Sequence, residues 1–144
     1  MKSIKALIII VCIFAISSLN AQGQTEKENE KVEYGYGIFS MEEFSNLHIW
    51  VDNQVKKMML GDKLQTEYDT LFGFHLGKIG RFKEKENKEK VLPKTEYLKS
   101  IKVQISKLNS SVEPILSIDQ NKRHLELMAE FEKILTNKLQ SKKE

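Results

Sequence analysis

At 144 residues, with 23 lysines and arginines against 20 acids, the chain holds one domain's worth of core under a surface of mixed charge. That balance gives little pull toward nucleic acid or anionic lipid, which excludes both as primary partners. The lone cysteine, Cys12, excludes a disulfide framework and a thiolate metal site, so stability has to come from packing.

Lys2 and Lys5 precede an apolar run from Ala6 to Ile16, and Ala21 supplies a small residue for cleavage, the pattern of a signal peptide over residues 1–21. The run is shorter than the ~20 residues that span hydrocarbon, so no membrane span is expected after cleavage near Ala21. Cleavage would remove Cys12 and two lysines, leaving a net charge of +1 and a periplasmic or secreted protein. Residues 22–33 carry one large apolar side chain, Val32, and residues 22–39 read as a flexible lead. Within it, Tyr34-Gly35-Tyr36-Gly37-Ile38-Phe39 alternates aromatics with glycines, a connection whose rings cover the domain that follows.

Residues 40–140 read as a single helical domain. Ser40-Met41-Glu42-Glu43 is a capping box, and Phe39 and Phe44 have the spacing of a hydrophobic staple. Phe44, Leu47, Val51, Val55 and Met58 then keep helical spacing up to Leu60, where Gly61 gives a stop. Asp62 to Gln65 offers a third cap of the same type, before a stripe of Leu64, Tyr68, Leu71, His75, Ile79 and Phe82. The first two helices therefore predict a tight hairpin or kinked rod. Gly73, Gly77 and Gly80 would share one face of the second helix.

The charged run Arg81 to Lys90 reads as a solvated loop or frayed helix end, and Pro93 closes it. Leu98, Ile101, Ile105, Leu108 and Val112 mark a third helix, ended near Ser110-Ser111 and Pro114. Ser117-Ile118-Asp119-Gln120 opens the fourth with a second complete capping box. Its stripe runs through His124, Leu127, Met128, Phe131, Ile134 and Leu135. No segment keeps a period of two, so the expected fold is all-α, about four helices in hairpins, forming either an elongated curved cradle or a small bundle.

Candidate chemistry is sparse. His75 and His124 fall on apolar stripes, where a satisfied imidazole is the simpler reading. His48 and Asp52 share a helix face four residues apart, and with His124 they are the candidate metal ligands, should folding or dimerisation unite them. The sequence has no HExxH motif, GxSxG turn or glycine-rich phosphate loop, and Glu42 and Glu43 are explained by the helix dipole. We therefore expect neither an enzyme nor a cofactor. Trp50, beside Ile49, lies off the main stripe of its helix, which makes the two residues a candidate partner surface.

Leu116-Ser117-Ile118-Asp119-Gln120 resembles the LTXXQ motif, with serine for threonine. That motif marks a Spy/CpxP-like family of small, exported, helical periplasmic proteins. Leu60 to Gln65 is a degenerate second copy, with one residue too many and Asp62 in the hydroxyl's place. The resemblance implies an ATP-independent chaperone or envelope-stress adaptor, a thin antiparallel homodimer whose concave face binds unfolded envelope proteins. It assigns Leu116, Ser117 and Gln120 a structural role and transfers no client-binding residue. Two other readings stay open: a metal-responsive envelope protein, and a structural interaction subunit of an envelope complex docking through Trp50.

Overall fold

A computed structural model describes residues 35–82 and 91–142. The signal-peptide reading, residues 22–34 and most of the charged run lie outside these residues. The described chain is all-α. Its four helices are α1 (Met41–Lys56), α2 (Asp62–Leu76), α3 (Lys94–Val112) and α4 (Ile118–Ser141). A helical turn over Gly35–Ile38 precedes α1, and a 3-10 turn, Glu113–Ile115, joins α3 to α4. Two-residue strands β1 (Arg81–Phe82) and β2 (Val91–Leu92) pair in parallel between α2 and α3, too briefly to form a second layer.

Of the two expected arrangements, the helices adopt the small bundle. Tyr68 and Phe72 of α2 are buried together with Met128, Phe131 and Leu135 of α4 and Ile101, Ile105 and Leu108 of α3. The Phe72 and Phe131 rings meet edge to face at 6.3 Å, an arrangement that aromatic quadrupoles favour. α1 lies antiparallel to α4. Lys138 near the end of α4 pairs with Glu43 at the start of α1, and Gln120 at the start of α4 reaches Met58 just past α1.

The two capping boxes form as read. Ser40 Oγ accepts from the Glu43 N–H at 3.2 Å, and the Glu43 carboxylate accepts from the Ser40 N–H at 2.9 Å. Such a box satisfies two of the donors that a helix start leaves open. The third does not form. Gly61, not Asp62, is the N-cap of α2 and contributes no side chain, because Gln65 turns forward and donates to Asp69 Oδ1 at 2.7 Å. α1 ends at Lys56 rather than Leu60, and the chain turns at Met59, whose φ is +52°.

α2 is also shorter than its stripe. It stops at Leu76, so Ile79 and Phe82 are buried from a turn and from β1 rather than from a helix. Of the three glycines expected on one helical face, only Gly73 lies inside α2. Gly77 caps it, and Gly80 lies beyond it.

Residues 35–39 of the lead are folded onto the bundle. Gly35, Tyr36 and Gly37 all have left-handed backbone, with φ of +47°, +59° and +73°. Glycine adopts that region at no steric cost, whereas tyrosine has to be held there. What holds it is burial: Tyr36, Ile38 and Phe39 sit in the core, and the Tyr36 hydroxyl donates to the Leu76 carbonyl at 3.1 Å. The rings cover the bundle as expected, but as a packed strap rather than a flexible connection.

Candidate functional site

The start of α4 is the best-defined polar junction on the surface. Ser117 Oγ accepts from the Gln120 N–H at 3.3 Å, and Gln120 Oε1 accepts from the Ser117 N–H at 3.0 Å. The Gln120 amide then donates from Nε2 to the Met58 carbonyl at 3.3 Å. One glutamine thus caps α4 and ties it to the end of α1, while Leu116 packs half-buried against the core. Ser117 and Gln120 join α4 to the end of α1, and the Leu116 side chain contributes apolar contact only. In the degenerate copy, Gln65 is committed to Asp69 and Leu60 only packs against the core.

Beside this junction lies a cleft of about 530 Å³ lined by Met58, Met59, Ser117, Gln120, Lys57, Lys122, Arg123, Asp119 and Glu126. Met59 is 82% exposed at its edge, and Ile118, in the first turn of α4, is 90% exposed. Methionine adapts to varied apolar partners because its unbranched thioether samples many shapes. Ser117 spends its hydroxyl on the cap, and the other lining side chains are apolar, amide or charged.

The histidines go elsewhere. His124 is fully buried; Tyr68 of α2 bonds its Nδ1 at 2.8 Å, and Asn109 of α3 bonds its Nε2 at 2.9 Å. Burial pushes its pKa down to about 4. His75 bonds Ser111 Oγ through Nε2 at 2.9 Å, and burial, with Lys78 and Lys107 nearby, lowers its pKa. His48 packs edge-on to Phe44 at 4.3 Å, and burial lowers its pKa as well.

The metal candidates are not brought together. Asp52 pairs with Lys56, His124 is occupied at both nitrogens, and the described residues contain no group of three or more ligating side chains. The candidate partner surface is split in the same way. Ile49 is exposed, but Trp50 packs half-buried against the core, since α1 turns that side toward its neighbours. No protein-family model, curated protein or solved structure matches this chain.

Two features escaped the sequence reading. Met59 follows a core methionine, and nothing local showed that the chain would turn there and leave it outside. The Tyr68–His124–Asn109 relay joins three helices, and only the apolar stripe around His124 hinted that the imidazole would be enclosed.

Proposed function

We propose that this is an exported helical binding protein of the periplasm that holds unfolded or stress-damaged envelope proteins without ATP, as a chaperone or stress adaptor. The observation that carries the reading is the cleft at the LTXXQ-like cap, where Met59 stands exposed among Lys57, Lys122 and Arg123, with the exposed Ile118 next in the chain to the cleft-lining Ser117 and Asp119. A lining that mixes apolar and charged side chains suits unfolded chains, which present apolar segments flanked by polar ones. In the closed bundle the helix stripes are spent on the core, so clients would meet the cleft rather than a concave stripe-lined face. Its test is light scattering of a denatured client diluted into buffer with stoichiometric protein and no ATP. We expect suppressed aggregation, reduced by Met59→Glu with Ile118→Lys. Unchanged aggregation across several clients would overturn the reading.

A second reading, an interaction subunit of an envelope complex, is favoured by α1. Met41 and Ile49 are exposed two turns apart on its outer side, which is the spacing of a helical docking face. Crosslinking in the envelope separates the two: one dominant partner lost with Ile49→Lys favours the subunit, and a broad set of partners favours the chaperone.

A further inference from the structure

Closing the bundle hides the apolar faces that α2, α3 and α4 share, and it encloses a histidine, His124, with no exposure to water. His124 tolerates only its neutral form there. Asn109 Oδ1 accepts, so Nε2 carries the hydrogen, and Nδ1 is left to accept from the Tyr68 hydroxyl. A second proton, on Nδ1, would force the Tyr68 hydroxyl to turn from donor to acceptor and would place a full charge at a site with no exposure to water. The relay is also the tie between elements, since its members come from α2, α3 and α4.

We propose that the Tyr68–His124–Asn109 relay is an acid latch: protonation of His124 releases α4 from α2 and α3 and uncovers their shared apolar faces. The latch rests on the binding function proposed above only for its purpose, because opening needs no client. From α2 the titratable group facing the ring is Tyr68, and from α3 it faces the neutral Asn109. Among the described residues no charged side chain of α1, α2 or α3 contributes to the lowered pKa, which burial alone produces. His75 repeats the pattern between α2 and α3, its Nε2–H donating to Ser111 Oγ, which itself donates to the Lys107 carbonyl.

Two carboxylates also bear on acid behaviour. Glu43 has its pKa lowered by the bond from Lys138, so its tie between α1 and α4 weakens in acid, in the same direction as the latch. Asp69 has its pKa raised by burial and by Asp52, so it takes up a proton early in the closed state and acts in the opposite direction.

The sign follows from where the proton goes first. His124 titrates at about 4 when closed, against an ordinary 6.5 when released, so the open form binds the proton first as pH falls. The closed state is fully favoured above 6.5. Below that it loses up to about tenfold in its ratio to the open state per pH unit, about 160-fold by pH 4.

The experiment titrates the purified protein from pH 7.5 to 3.5 and follows ANS fluorescence for exposed apolar surface together with the His124 imidazole by NMR. We expect one step in both signals, below pH 6.5. Asn109→Asp, which sets a carboxylate against Nε2–H, should stabilise the imidazolium in the closed state, so the imidazole titrates at higher pH while the ANS step moves at least one pH unit lower; His124→Gln, should it fold, should show no step above pH 4. A flat ANS signal down to pH 4 overturns the latch. So does a step that Glu43→Gln removes while Asn109→Asp leaves it in place, since the α1 to α4 ion pair would then be the trigger. Client protection is scored separately at pH 7 and pH 5. An acid step without protection at either pH sinks the binding function and leaves the latch standing; protection without a step does the reverse.

Discussion

α1 and the α2–α3–α4 unit use different means to hold their places. The three-helix unit is bound through its interior, with Phe72 against Phe131 and Tyr68 against His124, while Tyr97 of α3 carries the strap's Tyr36 and β1's Phe82. α1 fully buries only Leu47 and Val55 within its length. Its polar ties to α4 lie at its two ends, Glu43 to Lys138 at one and Met58 to Gln120 at the other. Local opening free energy tracks buried apolar contact. α1 should therefore be the first helix to leave, and the other three should melt together.

The largest expected effect tests the interior. Phe131→Ala removes the ring against Phe72 and should cost about 3–5 kcal/mol in urea unfolding, in one cooperative transition. Leu47→Ala, at the 2–3 kcal/mol end of the range for buried leucine, should instead raise amide exchange in α1 alone. If exchange rises across all four helices together, the distinction between the two regions fails. Next comes the strap. A Cβ at Gly35 would stand 2.3 Å from the Phe44 ring, at a φ of +47°, so Gly35→Ala should cost about 1–3 kcal/mol. Its damage should centre on Phe44 and the first turn of α1, readable as lost protection there.

Smaller again are the caps, which make the comparison internal to one motif. Ser40→Ala and Ser117→Ala each remove one hydroxyl acceptor from a complete box, worth about 1 kcal/mol. The first should appear as fraying of α1 and the second as a loss of global stability, because α4 cannot fray without uncovering His124 and Leu127. Equal, purely local fraying in both would show α4 to be as loosely held as α1.

These caps are also where the fold was most legible. A capping box is read from four adjacent residues, and both complete boxes formed where serine preceded an acid or amide by three. Asp62 failed because the same letters allow another solution: Gln65 has Asp69 one turn ahead, and that bond competes with the cap. The helical stripes named most of the core but not where α2 ends, since Ile79 and Phe82 are apolar whether a helix or a turn buries them. Trp50 lay off the stripe because a helix packed on more than one side buries more than one stripe. The cleft and the relay were hidden for a different reason. Met58 and Gln120 are 62 residues apart, and Tyr68 and His124 are 56 apart, and such pairings are settled by how helices pack, which no local pattern encodes.

The smallest effect is the most specific test of how α1 is tied. Glu43→Gln keeps an acceptor at the third helical position, so the capping box survives and only the charge facing Lys138 is lost. The Lys138 Nζ to Glu43 Oε1 contact is 2.5 Å, but the glutamate side chain is 46% exposed, so water screens the pair and it is worth about 0.2–1 kcal/mol. The bond from Lys138 holds the Glu43 carboxyl below its ordinary range. The stabilisation is therefore complete above the ordinary carboxylate pKa and fades as pH falls through the lowered one. Wild type and Glu43→Gln should differ at pH 7 and converge once the pH falls below the lowered carboxyl pKa, and 1 M salt at pH 7 should close most of the gap. A gap that persists in acid or salt would mean that the cap, not the charge, holds this end of α1. The comparison would then rest on helix propensity rather than on a tie between two helices.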